Sequence, residues 1–141
     1  MALAIHPNVG AVLVCDYDTG FRTPEMIKRR PVIVVSPRLR DRDGLCTVVP
    51  LSTTDPRKQY PFHCRIRFDP RLPPPYGEEW MWVKADMIAT VGFHRLSPLR
   101  KPRDQYGKRQ YDNRIVEPEV LEQIRTCVLH ALGFSSLAGQ R

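Results

Sequence analysis

The chain has 141 residues, enough for one domain that buries about two thirds of its unfolded surface without disulfide staples. Its 22 Lys and Arg against 15 Asp and Glu leave a formal charge of +7, which favours a polyanionic partner: RNA, DNA, an acidic protein segment or an anionic membrane surface. No apolar run approaches the roughly 20 residues of a membrane-spanning helix, and residues 1–7 lack the basic region and apolar length of a signal peptide, so the expected location is the cytoplasm.

The 14 prolines, roughly double the ordinary share, fall between apolar runs rather than inside them. Short strands punctuated in this way predict a compact β barrel or sandwich, because proline cannot donate to a sheet ladder. In chain order the predicted strands are 11–17, 32–36, 46–51, 62–67, 80–84 and 87–90. In the fourth, Phe62, Cys64, Ile66 and Phe68 alternate with His63, Arg65 and Arg67. A period of two puts a basic row on one face and an apolar row on the other.

Residues 69–77, with Pro73-Pro74-Pro75, read as a stiff connector. Residues 100–114 read as a basic loop, with Arg100, Lys101, Arg103, Lys108, Arg109 and Arg114 against Asp104 and Asp112. One helix is predicted over 118–132: Val120, Leu121, Ile124, Cys127, Val128, Ala131 and Leu132 share a stripe. Pro118 suits its first turn, Glu119 and Glu122 complement its dipole, and Gly133 stops it. The tail after Phe134 is expected to fray. Cys15, Cys46, Cys64 and Cys127 each lie in an apolar element without C-x-x-C spacing. They read as core thiols of a reducing compartment, and neither a metal site nor a cofactor is expected.

The stretch richest in chemistry begins at Lys28-Arg29-Arg30-Pro31, runs through Val32-Ile33-Val34-Val35 and closes at Ser36-Pro37. After a charged turn at 40–44, the apolar run 45–51 ends in Ser52-Thr53-Thr54, and Tyr60-Pro61-Phe62 opens the next strand. A guanidinium before one strand and hydroxyls after its hairpin partner form a phosphate-handling arrangement, since the guanidinium fork matches phosphate oxygens in a bidentate way.

This segment resembles the MazF/PemK family of bacterial toxins, which are sequence-specific RNA endonucleases with an SH3-like barrel. The shared pattern is an Arg-Pro opening an apolar strand, then Ser-Pro, a turn, a second strand and a Pro-x-Thr-type end. Upstream, Gly10 to Asp18 is similar to the family's first strand, ending in the acidic-aromatic-acidic Asp16-Tyr17-Asp18. Gly20 and Glu25 fall where the family carries a glycine and an acidic residue. Lys84-Ala85-Asp86-Met87-Ile88 is similar to its Ala-Asp-Gln-apolar segment, with Met87 in place of the glutamine. The likeness covers about 9–99 and resumes in the last helix.

The resemblance implies a mostly β fold with a C-terminal helix, an SH3-like barrel of the MazF/PemK type. It implies one toxin domain over 1–141, with the barrel at about 9–99, the basic loop at about 100–114 and the helix at about 118–132. It further implies a metal-independent endoribonuclease that cuts single-stranded RNA, chiefly mRNA, by attack of the 2′-hydroxyl, leaving 2′,3′-cyclic phosphate and 5′-hydroxyl ends. The implied partners are the RNA, a second copy in a homodimer, and an antitoxin whose acidic disordered segment wraps the basic groove.

Matched residue by residue, Arg30 carries the phosphate charge and serves the leaving oxygen. Ser52 takes the threonine position, or Thr53 does if the strand end is shifted by one. Glu25 positions the loop or Arg30. Lys28 and Arg29 meet flanking phosphates, and Thr54, Tyr60, His63, Arg65, Tyr106 and Arg109 complete the expected RNA contacts. Beside these stand plainer readings: a solvated His63, turn hydroxyls at 52–54 bonded to backbone, and Trp80 and Trp82 as core or dimer packing. Two other functions remain open on the same fold, a nucleic-acid-binding module without catalysis and a gyrase-targeting toxin. Against the latter, the chain ends Ala138-Gly139-Gln140-Arg141 where such toxins carry Trp-Gly-Ile.

Overall fold

The computed structural model describes residues 3–139, and its architecture follows from β-branched runs that need cover on both faces. Met1, Ala2, Gln140 and Arg141, parts of the two terminal stretches read above, lie outside the described residues. Eight strands form among the described residues: β1 (Val12–Asp16), β2 (Arg29–Val34), β3 (Leu45–Ser52), β4 (His63–Arg67), β5 (Trp80–Lys84), β6 (Ala89–Gly92), β7 (Leu96–Lys101) and β8 (Gln110–Asp112). Every pairing is antiparallel, in the order β4-β5-β3-β2-β1-β7-β8.

The long strand β3 shares one edge between two partners. Its first half, Leu45 to Val48, pairs β6, and its last two residues, Leu51 and Ser52, pair β5. That division makes the sheet barrel-like, although the terminal strands β4 and β8 do not meet and the ladder stays open. Successive residues of β1 feed opposite cores, as the strand period requires. Val12 and Val14 join Ile33, Val49, Leu51, Ile66 and Val83, whereas Leu13 and Cys15 join Val32, Val34, Val48 and Leu96.

The first of these cores is covered by α1 (Pro118–Ala131), which buries Ile124 and Cys127 against it. The fold is thus mostly antiparallel β with a C-terminal helix, as expected. The alternation in β4 also holds: Cys64 and Ile66 are buried while Arg65 and Arg67 are exposed. All four cysteines are free and buried.

Several boundaries differ from the sequence reading. The chain after α1 turns at Gly133, whose φ of +83 suits glycine alone, and forms a short helix, α2 (Ser135–Ala138), with Ala138 buried. The expected fraying at 135–138 is therefore replaced by helix. Strand β2 begins at Arg29 rather than at residue 32, because Arg29 and Arg30 pair Asp16 and Cys15 of β1. The strand expected at 87–90 starts two residues later, after a 3₁₀ turn at Ala85–Met87. Strand β7 was not anticipated: Pro98 and Arg100 disguise it, yet Pro98 pairs Leu13 of β1. Its partner β8 lies inside the stretch read as a loop.

Candidate active site

Lys28 adopts φ +73, an uncommon conformation for a side chain with a Cβ, and its carbonyl accepts the Tyr17 N–H at 3.0 Å. This kink delivers Arg29 and Arg30 into β2. Arg30 is half-buried, and its Nε donates to the Ile27 carbonyl at 2.7 Å. That bond fixes the plane of the guanidinium, whose two terminal nitrogens have no hydrogen-bond partner among the described residues. A fork held from behind and open in front is the geometry that takes two oxygens of a phosphate. Arg29 faces Asp16 at 3.8 Å across a solvent-exposed ion pair.

Ser52 ends β3 and is 6% exposed, the one buried polar side chain among the described residues. Its Oγ accepts the Thr54 N–H at 3.1 Å, so the hydroxyl closes the turn that follows the strand. Thr53 and Thr54 are exposed. Arg30, Ser52 and Thr53 line one open cavity of about 240 Å³, together with Lys28, Arg29 and Thr54. Six of the anticipated residues thus converge.

Pro75, Tyr76, Glu78 and Met81 stand among the rest of the wall. Glu78 supplies the carboxylate of this cavity, and the sequence reading passed over it. It follows the proline connector, and no spacing rule links it to Arg30; the only signal was its place just before a strand that pairs the end of β3.

Glu25 is not brought to Arg30. It lines a separate cavity of about 340 Å³ with Phe21, Met26, Asp86 and Met87, and its carboxylate accepts the Arg22 N–H at 3.3 Å. Met26 is the loop's buried anchor, and the residue before it is left exposed.

A second group of expected residues gathers on the outer face of β4 and β5. Tyr60 stacks on Phe62 with ring centroids 5.4 Å apart, and its N–H donates to His63 Nδ1 at 3.1 Å. An accepting Nδ1 belongs to neutral histidine; burial, then the Lys84 ammonium, hold this imidazole below its ordinary pKa. The Arg65 guanidinium lies 5.0 Å from the centre of the Trp80 ring and 5.6 Å from that of Trp82, within cation–π range. Trp80 is 45% exposed, so core packing within the chain is not its role. Trp82 pairs Ser52 across the ladder and donates its indole N–H to Asp55 Oδ1 at 2.6 Å, which ties the hydroxyl turn to this aromatic face.

Tyr106 and Arg109 stand apart from both groups, in the hairpin joining β7 to β8. Asp104 Oδ1 accepts the N–H groups of Tyr106 and Lys108, both at 2.9 Å, and Arg109 donates to the Lys101 carbonyl at 3.3 Å. Tyr106 is 85% exposed at the tip. Among the described residues, no group of three or more His, Cys, Asp or Glu side chains is arranged to hold a metal ion, and no helix is long and apolar enough to cross a membrane.

Comparison with known proteins bears on the family and the fold. Residues 8–132 match the family described as PemK-like, MazF-like toxin of type II toxin-antitoxin system. The chain is 26% identical over 155 residues to the uncharacterized protein YifN of Escherichia coli K12, covering 97% of this chain and 99% of that one. Among solved structures it is similar to MazF (Form-I) from Deinococcus radiodurans, at 22% identity and a TM-score of 0.59, with 90% of this chain and 96% of that chain covered. It is also similar to an endoribonuclease from Mycobacterial species, at 23% identity and a TM-score of 0.55 over 93% and 96% of the two chains. At these identities the structural likeness speaks to the fold.

Proposed function

The chain belongs to the PemK-like, MazF-like toxins of type II toxin-antitoxin systems, and from that premise we propose that it is a metal-independent endoribonuclease cutting single-stranded RNA at a short recognition sequence, chiefly in mRNA. The observation that carries the reading is the open guanidinium fork of Arg30 in one cavity with the hydroxyl turn 52–54.

In this reading the substrate supplies its own nucleophile. The 2′-hydroxyl oxygen attacks the adjacent phosphorus, and its proton passes to the Glu78 carboxylate. The bond from phosphorus to the 5′-oxygen breaks, leaving a 2′,3′-cyclic phosphate and a 5′-hydroxyl. Arg30 neutralises the charge growing on the phosphate oxygens and hydrogen-bonds the leaving oxygen, which takes its proton from solvent. Preorganised donors aimed at developing charge are the strongest contribution a site of this kind makes. Because the hydroxyl of Ser52 already closes the turn, Thr53 is the residue assigned to the phosphate. Lys28 and Arg29 hold flanking phosphates, and the rings of Tyr60, Trp80 and Trp82 with Arg65 offer faces on which unstacked bases rest.

The same basic cavity suits an acidic antitoxin segment that orders on binding, and the protein acts in the cytoplasm as a homodimer. A reading as a nucleic-acid-binding module without catalysis draws on one observation, the buried and already engaged Ser52 hydroxyl. Incubation with a mixed-sequence single-stranded RNA in EDTA, followed by mapping of every new 5′ end, separates the two. Cuts recurring at one short sequence, with a DNA copy left intact, are expected. Intact RNA that is nevertheless bound would leave the binding module.

A further inference from the structure

A second cavity, of about 430 Å³, adjoins the first and shares Arg29, Pro75 and Tyr76 with it. Its outer wall is the proline run 73–75, and its far wall is β7 from Ser97 to Arg100. The connector carrying the first wall has little counterpart in the family pattern. The second wall leads into the β7–β8 hairpin, which likewise has little counterpart there.

We propose that this cavity is a nucleotide subsite for the same RNA strand, holding residues of the substrate that flank the cut phosphate; the proposal rests on the endoribonuclease reading. Its walls have the chemistry a single strand needs. Arg29 stands at the junction of the two cavities and Arg100 at the far end, giving the phosphate backbone cations at both ends. Tyr76 and the proline rings between them present apolar plates of the kind on which bases stack regardless of sequence. The volume lies within the range of sites that hold one small ligand.

The site is also preformed. Tyr76 packs against the core beneath the connector, and its N–H donates to the Pro73 carbonyl at 3.0 Å, so little ordering is left to oppose binding. The ion pair that Arg29 makes with Asp16 is long and solvated, and such pairs are weak enough for a phosphate to displace. A strand leaving Arg30 past Arg29 therefore meets a continuous path to Arg100.

The test uses the full chain and its Arg100→Ala variant, with two oligoribonucleotides: the shortest RNA that wild type cuts or, where it cuts none, the shortest it binds, and the same RNA extended by several nucleotides on both sides. Affinity is read by anisotropy on copies made uncleavable by 2′-deoxy substitution at the cut, and cleavage is read on the unmodified RNAs. Arg100→Ala is expected to weaken the extended copy by about fivefold to tenfold, to lower its salt slope by about 0.7, and to leave the short RNA unchanged in both readouts. Equal affinity of variant and wild type for the extended copy would overturn the subsite. So would a change in oligomeric state in place of RNA affinity, which would make this face a contact between copies. Length-dependent loss of affinity without any cleavage by wild type would instead sink the endoribonuclease reading and leave the subsite standing.

Discussion

The Ser52 hydroxyl accepts the backbone N–H of Thr54 at 3.1 Å and is buried at the end of β3, whereas Thr53 between them is exposed. In the proposed mechanism the two neighbouring hydroxyls divide structural and chemical duty. Ser52→Ala should cost about 1 kcal/mol of stability through the lost hydrogen bond. Thr53→Ala should leave the melting temperature within a degree or two and reduce kcat by about 10- to 100-fold. Thermal melts and single-turnover rates on the two variants check this. An inactive Ser52→Ala of unchanged stability would return the catalytic hydroxyl to position 52.

His63 accepts the Tyr60 N–H through Nδ1, and burial followed by the nearby Lys84 lowers its pKa. The folded state therefore disfavours the imidazolium. The resulting stability is present above the ordinary value of about 6.5 and is lost as pH falls through the lowered folded value. NMR titration should place the His63 midpoint below that of a model histidine. His63→Gln should leave the salt slope of RNA binding unchanged at pH 7.5, because the ring carries no charge there to release a counterion.

Arg114 is held by Asp112, with Nη2 at 2.6 Å from Oδ2 and Nε at 3.0 Å from Oδ1. It also donates to the carbonyls of Pro70 and Arg71, and so clamps the proline connector to the β7–β8 hairpin. Hydrogen bonds from Arg114 hold the Asp112 carboxyl below its usual range. Such a group adds stability above its unfolded pKa of about 3.9 and loses it as pH falls through the depressed folded value. Asp112→Asn should cost about 2 kcal/mol at pH 7. In urea melts across pH, that deficit should shrink below about pH 4, as wild type loses what the variant never had.

Much of this was legible in the sequence, and the failures have physical causes. The alternation in β4 and the stripe of α1 were visible because one face of each meets the core and the other meets water. Arg30, Ser52 and Thr53 were singled out through the order of short segments around β2 and β3, and pairing of those two strands brings them to one cavity. Glu78 and Tyr76 were missed because a proline-rich connector carries no periodicity to say where it packs. Strand β7 was hidden because Pro98 and two cations break the apolar pattern of a strand. Glu25, matched to the family's acidic loop residue and expected to position the loop or Arg30, lines a cavity apart from Arg30 and accepts the Arg22 N–H within its own loop.

The cysteines offer a check on the core. All four are buried; burial, the largest influence on Cys15, pushes its thiol up to about 11. Cys64 is raised as well, by its hydrogen bond with Cys127 and by burial. Thiolate is the reactive form, so Cys15 and Cys64 should resist iodoacetamide at pH 8. Cys127, whose pKa the Cys64 hydrogen bond lowers, is protected by its burial, and all four thiols should label in guanidinium. Rapid labelling of Cys64 or Cys127 in the native protein would contradict the packing of α1 on β4.

The most direct test of the central claim is cleavage of an RNA carrying the recognition sequence, in EDTA, by wild type and Arg30→Ala, with analysis of the product ends. Wild type should yield 2′,3′-cyclic phosphate and 5′-hydroxyl termini, and the variant should be slower by about 10³-fold while folding normally. Undiminished cleavage by a folded Arg30→Ala, or 5′-phosphate products from wild type, would contradict the account.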